Sequence, residues 1–118
     1  MKRLERIFKA LSDETRLKIL GLVLRNGHMC VCEVERILQI TQSKASRHLR
    51  YMRDAGLLED SREGAIVNYG IPAAPGAEAA EVLAFIEPLL QQQPLPEAAP
   101  LLVQLRLERG GESMLGRA

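Results

Sequence analysis

The sequence predicts one mainly α-helical domain that contains a small β-hairpin. The chain has 118 residues, which is enough for one hydrophobic core and too few for two ordinary domains. Apolar residues recur at helical spacing over most of the chain, and one short stretch instead has the character of paired strands. Because 47% of the residues are hydrophobic but only 3% are aromatic, the core must consist of Leu, Ile, Val and Ala.

The first two helices are predicted from apolar spacing and from a capping site. Ser12 offers an N-cap for the second helix, and Asp13 and Glu14 in its first turn suit the helix dipole. This second helix is apolar over a broad face and should be central, and Asn26-Gly27 ends it. The stripe of the first helix consists of Leu4, Ile7, Phe8 and Leu11.

A helix-turn-helix followed by a hairpin is predicted next. A short third helix runs through Val34 and Leu38, and Thr41 can cap a fourth helix that extends to about Ala55. Residues 57–71 predict a hairpin with its turn at Arg62-Glu63-Gly64. A hairpin in this position is a wing, so the predicted fold is a winged helix-turn-helix.

The remainder of the chain predicts a fifth helix and an extension. Apolar residues from Ala79 to Leu90 form a stripe that exceeds what the small core needs, and Pro88 should kink or end this helix. We therefore predict a domain over residues 1–92 and a proline-broken, partly disordered C-terminal extension over residues 93–118. The extension contains one short helix near Leu101–Leu105 and a frayed tail.

Charge and composition exclude several function classes. Residues 1–71 carry 13 basic and 9 acidic side chains, whereas the remainder carries 3 and 6. The excess of positive charge therefore lies in residues 1–71, as is expected if this part of the chain faces nucleic-acid phosphates. The charged N-terminal segment and the lack of a run of about 20 apolar residues predict a cytoplasmic protein with no membrane partner. There is no C-x-x-C pair, phosphate-binding glycine loop or catalytic metal set, so we predict neither an enzyme nor a permanent cofactor.

The fourth helix is the predicted DNA-reading element. Ala45, Leu49 and Met52 share its apolar side, and basic and polar residues occupy the opposite side. Such a helix enters the major groove by its N-terminal end. A solvated surface helix is the alternative interpretation, and for His48 a packed or phosphate-contacting role competes with metal ligation. The candidate DNA-binding residues are Gln42, Ser43, Lys44, Ser46, Arg47, His48, Arg50 and, at the predicted wing tip, Arg62.

Three segments resemble the ArsR family of bacterial winged-helix repressors. These are ALSDETRLKIL, CVCEVERIL and TQSKASRHLRYMRDAGLLEDSREGAIVNYGI, and the resemblance covers residues 4–71 in unbroken order. It implies a homodimer built through the first and last helices, which would use the surplus stripe at Ala79–Leu90. It also implies that the two recognition helices of the dimer bind double-stranded operator DNA in successive major grooves.

The resemblance also suggests a ligand for the chain's two cysteines. Arsenic-sensing members begin the third helix with Cys-Val-Cys and have another cysteine three residues later. Here the pair is Cys30 and Cys32, and Glu35 stands in the third place. Arsenite prefers three thiolates, whereas a methylated trivalent arsenical needs only two. The expected inducer is therefore trivalent arsenic, as arsenite or a methylated arsenical, with zinc or cadmium as less favoured ligands.

The spacing of the cysteines predicts a switch. Residues i and i+2 of a helix point about 200° apart, so one ligand bridges them only if the helix start unwinds or never formed there. Such binding would disturb the recognition helix and release DNA. Three alternatives remain open: buried structural cysteines, a thiol redox-responsive repressor of the same fold, and a winged-helix module that binds protein.

Overall fold

The computed structural model describes the backbone of residues 1–117 and the side chains of residues 1–109. Over this range the chain forms six helices and three short strands around one core. In chain order the elements are α1 Lys2–Leu11, α2 Glu14–Asn26, β1 Met29–Cys30, α3 Val31–Leu38, α4 Gln42–Asp54, β2 Glu59–Glu63, β3 Ile66–Gly70, α5 Ala77–Gln91 and α6 Ala99–Arg117.

Helix α2 is the centre of the core, as its broad apolar face predicts. It packs against α1, α4, α5 and β3. The side chains of Ile19, Leu20, Leu22 and Val23 are all fully buried. Gly27 ends the helix with φ +90°, a conformation that glycine adopts without strain. The cap at its other end differs from the prediction, because the side chain of Asp13 rather than Ser12 accepts the hydrogen bond from the Arg16 amide, at 2.9 Å.

The wing is part of a three-stranded antiparallel sheet with strand order β1-β3-β2. The hairpin is confirmed, but its turn is at Gly64-Ala65, because Glu63 pairs with Ile66 and Gly64 has φ +60°. Arg62 is therefore paired with Val67 within β2 and does not lie at the tip. The two-residue strand β1 was not predicted, since two residues are too short to show alternation.

The two C-terminal helices are longer than predicted. Pro88 lies inside α5, which continues to Gln91. Helix α6 packs against α3 and buries Leu102 and Leu105 along one side, and Ala98, which directly precedes the helix, is also buried. Between the helices, Leu95 approaches α2 so closely that a Cβ at Gly21 would lie 2.6 Å from its Cδ1 atom.

The predicted division at residues 92 and 93 and the partial disorder of residues 93–118 stay predictions. The side chains of residues 110–118, where most of the frayed tail was expected, lie outside the described part of the chain. Among the described helices, none is long and apolar enough to cross a membrane.

Candidate functional site

The start of α3 gives the two cysteines different backbone conformations. Cys30 ends β1, pairs with Asn68 of β3 and is the N-cap of α3, with φ −90° and ψ 166°. Cys32 lies in the first turn of α3. Because an N-cap residue is extended, the 200° separation within a helix does not apply to this pair. One ligand can bridge the cysteines if the start of the helix unwinds or if no helix has formed there. The structure meets the second condition, because Cys30 precedes the first residue of α3.

A buried carboxylate lies beside the cysteines. Glu33 is 0% exposed, and its Oε1 atom accepts a hydrogen bond from the Cys30 amide at 2.9 Å. Two arginines of α6 donate to its Oε2 atom, Arg106 through Nε at 2.8 Å and Arg109 through Nη2 at 2.7 Å. A buried carboxylate is tolerated only when it is paired and hydrogen-bonded. Glu33 therefore connects α6 to the start of α3 through two ion pairs.

A second nitrogen of Arg109 contacts both cysteines. Its Nη1 atom lies 3.5 Å from Cys30 Sγ and 3.4 Å from Cys32 Sγ. Arg106 instead directs Nη2 to the carbonyl oxygen of His28, at 2.8 Å. The two sulfur atoms thus converge on one guanidinium, although Cys30 is buried and Cys32 is exposed.

The protonation states of this cluster follow from burial and from the arginines. Burial alone would raise the pKa of Glu33, but hydrogen bonds from Arg106, Arg109 and the Cys30 amide outweigh it and lower the pKa to about 2. Burial, together with the hydrogen bond to Cys32, raises the pKa of the Cys30 thiol to about 12. Glu33 is therefore ionised at neutral pH, whereas Cys30 is a neutral thiol. Burial at Cys30 thus opposes formation of the thiolate, which is the form of cysteine that is readily oxidised.

The cysteines share a cavity with the predicted DNA-reading surface. The cavity has a volume of about 410 Å³ and lies between the start of α3, one side of α4 and the wing. Its polar lining includes Gln42, Ser46 and Arg50 of α4 and Arg62 of β2. A ligand bound to the two sulfurs would therefore be adjacent to four of the candidate DNA-binding residues.

Helix α4 presents its polar side to solvent, as predicted. Thr41 caps it by accepting the Lys44 amide at 3.2 Å, and Ala45, Leu49 and Met52 are fully buried. The capped N-terminal end of α4 therefore presents polar side chains that are accessible to solvent. On this face Gln42, Ser43, Lys44, Arg47 and Arg50 are exposed, and Ser46 is half-buried; Arg62 of the wing is also exposed.

His48 lies at the edge of that face and contacts α2. Its Nδ1 atom is 3.4 Å from Nη1 of Arg16, and the same arginine lies 4.3 Å over the Tyr51 ring. Burial lowers the pKa of His48. These contacts connect α4 to the core and give His48 a packing role within the protomer.

The sequence predicted part of this site and missed the rest. It placed Cys30, Cys32 and the polar side of α4, but not Glu33, Arg106 or Arg109. A glutamate three residues after an N-cap is a recognisable capping signal, so the role of Glu33 could have been predicted from the sequence. The two arginines have no such local signal. Among the described residues, no group of three or more His, Cys, Asp or Glu side chains is arranged to hold a metal ion.

Comparison with known families decides where the chain belongs. The model of the bacterial regulatory protein arsR family matches residues 13–60, which run from the N-cap of α2 into β2. This segment belongs to the ArsR family. The expected family is confirmed, and it is a family of regulatory proteins, not of enzymes. The matched segment contains the helix-turn-helix and both cysteines, whereas the arginines of α6 lie outside it.

Curated relatives of this chain include regulators of metal and metalloid resistance. An arsenic resistance transcriptional regulator of Pseudomonas putida is 44% identical over 70 residues, 58% of this chain and 55% of the relative. The arsenical resistance operon repressor of Escherichia coli is 42% identical over 77 residues, 65% of this chain and 66% of the relative. A cadmium resistance regulatory protein homologue of Staphylococcus aureus is 39% identical over 66 residues, 56% of this chain and 54% of the relative. The chain thus spans between about half and two thirds of these relatives.

Solved structures confirm the winged helix-turn-helix fold of this chain. HlyU from Vibrio cholerae matches with a TM-score of 0.63 and 28% identity over 77% of this chain and 95% of that chain. A homodimeric winged helix-turn-helix DNA-binding domain from Mycobacterium bovis, described as a possible ArsR-family regulator, matches with a TM-score of 0.63 and 27% identity. That match covers 77% of this chain and 81% of the other.

Proposed function

We propose that this chain is a transcriptional repressor that binds operator DNA as a homodimer and releases it when a trivalent arsenical binds Cys30 and Cys32. The observation that carries the proposal is the shared cavity, in which both cysteines line the same space as Ser46, Arg50 and Arg62. The names of the arsenic-responsive relatives support the choice of ligand.

DNA binding is supported by the surface of α4 and by charge. The N-terminal end of the helix is capped and polar, and its exposed Arg47 is free of the ion pairs found in the described structure. The candidates are Gln42, Ser43, Lys44, Ser46, Arg47, His48, Arg50 and Arg62. Arginine and lysine would bind guanine or phosphate, glutamine would pair with adenine, and the half-buried His48 would reach at most a phosphate.

A homodimer is supported by apolar side chains that the protomer leaves uncovered. Phe8 of α1 is 57% exposed, and Phe85 and Leu89 of α5 are 72% and 47% exposed. Helices α1 and α5 pack against each other, so these side chains belong to neighbouring elements. A second copy would cover them and place two recognition helices about 34 Å apart on the duplex.

The arsenical is favoured by the donor set. Two convergent thiols suit a soft, thiophilic trivalent centre. Zinc and cadmium ordinarily take more ligands than two thiols supply, and Glu33 is already engaged by two arginines. In the binding step each thiol loses its proton to a hydroxide on arsenic, so two water molecules leave and no electrons are transferred.

Release of DNA would follow from the shared cavity. A ligand on the sulfurs occupies space next to Arg50 and Arg62 and shifts side chains that must be free to meet DNA. A hundredfold loss of affinity requires a coupling free energy of about 2.7 kcal/mol, which is within the ordinary allosteric range.

The experiment is a titration of the reduced protein with fluorescent promoter DNA, followed by arsenite, a methylated trivalent arsenical, cadmium or peroxide. Wild type is compared with the Cys30→Ser/Cys32→Ser double variant, which contains no thiol because the chain has only two cysteines. We expect DNA binding in both proteins and arsenical-induced release in wild type alone.

Other outcomes would overturn parts of the proposal. Release by peroxide alone would replace it with a redox repressor. Loss of DNA binding in the double variant would show that the cysteines are structural. Affinity that does not fall with increasing salt would indicate a protein-binding module instead of a DNA-binding one.

A further inference from the structure

Arg109 lies beside the two sulfur atoms that would hold the ligand. Trivalent arsenic forms three bonds, so a centre held by Cys30 and Cys32 keeps one further substituent. The Nη1 atom of Arg109 contacts both sulfurs, at 3.5 and 3.4 Å. The part of the chain that the structure describes brings no third thiol to this point, since both cysteines are already in use.

We propose that Arg109 selects the ligand by donating a hydrogen bond to an oxygen that remains on the bound arsenic. The inference rests on the proposed function and adds that arsenite, which retains a hydroxyl, is preferred over a methylated arsenical, which retains a methyl group. Arsenous acid loses two hydroxides, as water with the two thiol protons, and keeps the third. Its arsenic stays trivalent throughout.

The orientation of Arg109 supports this role. Its Nη2 atom is held by Glu33 Oε2 at 2.7 Å, and Glu33 is in turn fixed by Arg106 and the Cys30 amide. A guanidinium has five N–H donors in one plane, so anchoring one edge on Glu33 leaves Nη1 directed at the sulfurs. Arg109 is thus oriented before a ligand arrives.

The neighbouring arginine lacks this geometry. Arg106 shares the Glu33 carboxylate, but its Nη2 atom donates to the His28 carbonyl oxygen at 2.8 Å, and neither sulfur is among its described hydrogen-bond partners. The two arginines are three residues apart on α6 and differ in which atoms they reach. Because Arg106 also holds Glu33 in place, the control for Arg109 is Arg36 of α3, which is exposed and makes none of the described side-chain hydrogen bonds or ion pairs.

A methyl group cannot accept a hydrogen bond. With a methylated arsenical, the Nη1 donor of Arg109 would face an apolar substituent and lose its polar partner. We expect wild type to prefer arsenite by about tenfold, which corresponds to one charge-assisted hydrogen bond.

The test measures direct binding of arsenite and of a methylated trivalent arsenical to the reduced full chain, without DNA, by competition with a small dithiol. The proteins are wild type, Arg109→Met, Arg109→Lys and Arg36→Met. Thermal unfolding verifies that each variant is folded, and the lysine variant keeps the charge if the methionine variant is unstable. We expect both Arg109 variants to lose most of the preference for arsenite and Arg36→Met to keep it.

The outcomes separate this inference from the proposed function. If wild type binds both ligands but the Arg109 variants lose affinity for both equally, Arg109 supports the thiols without selecting the ligand, and the inference is wrong while the proposed function stands. A preference that survives in both Arg109 variants overturns it as well. If wild type binds neither arsenical, the proposed function fails together with the inference.

Discussion

The environment of Glu33 differs from that of an ordinary helix carboxylate. It is fully buried, yet it is charged at neutral pH because two arginines and one amide donate to it. The same interactions place Arg109 over Cys30 and Cys32. Glu33 therefore caps α3, holds α6 against it and orients Arg109 beside the two cysteines.

Glu33→Gln tests this arrangement through pH. Since the folded-state pKa of about 2 lies below the ordinary value of 4.5, the carboxylate stabilises the fold above pH 4.5, and that stability is lost as the pH falls towards 2. The variant should lose about 2 kcal/mol of unfolding free energy at pH 7 and much less near pH 3. Urea unfolding at both pH values measures this.

Glu35→Gln removes a carboxylate from the same helix and is the control for charge. An equal loss of stability in the Glu33 variant at pH 7 and pH 3 would contradict the described ion pairs.

Arg47 is the residue whose substitution tests DNA contact most directly. It is exposed on the polar side of α4, so Arg47→Ala should leave the unfolding midpoint unchanged while weakening DNA binding. If it contacts phosphate, the slope of log affinity against log salt should fall by about one. Arg3→Ala makes the same charge change on α1. Equal effects of the two variants would mean that general charge, not the recognition helix, determines affinity.

Among the elements, α4 is fixed at one end by a single side chain. The hydroxyl of Thr41 accepts the Lys44 amide at 3.2 Å, and the first turn that it holds carries Gln42 and Ser43. Fraying of this turn would move the end of the helix that, in the proposed function, meets base edges. The cap is thus relevant to both stability and recognition.

Thr41→Ala should therefore lower the unfolding free energy by about 1 kcal/mol and weaken DNA binding. Thr41→Ser retains the hydroxyl and should behave like wild type in both assays. Urea unfolding and fluorescence anisotropy on the same samples measure the two effects. If alanine and serine variants are indistinguishable, the cap does not stabilise this helix in solution.

At the scale of the whole molecule, apolar surface is left where α1 and α5 meet. Phe8 and Phe85 remain mostly exposed, although their helices pack together. Exposed aromatic side chains on adjacent helices indicate a surface that another chain covers. The protomer is therefore expected to function as half of an assembly.

Phe85→Glu should convert the proposed dimer to a monomer, because a charge cannot be buried there without a partner. Val103→Glu introduces the same charge on α6, where Val103 is 59% exposed, and should leave the dimer intact. Sedimentation velocity distinguishes the two forms, and the monomer should also bind DNA more weakly. A dimeric Phe85→Glu protein would place the interface elsewhere.

The sequence by itself determined the features that depend on neighbouring residues. Apolar periodicity located the helices, Thr41 and Gly27 marked helix ends, and the polar side of α4 was visible from its spacing. These signals are local, because a helix repeats every 3.6 residues and caps act within one turn. The same local rules gave the wrong N-cap for α2, because Ser12 and Asp13 are adjacent and both residue types commonly cap helices.

Only the tertiary structure decided how the cysteine site is completed. Arg106 and Arg109 lie more than 70 residues from Glu33 along the chain, so no periodicity connects them. The two-residue strand β1 likewise forms only because β3 offers a partner. This pairing keeps Cys30 extended and allows both sulfurs to meet Arg109. Burial then raises the pKa of Cys30 while Glu33 stays charged, because desolvation and pairing depend on which distant side chains the fold brings together.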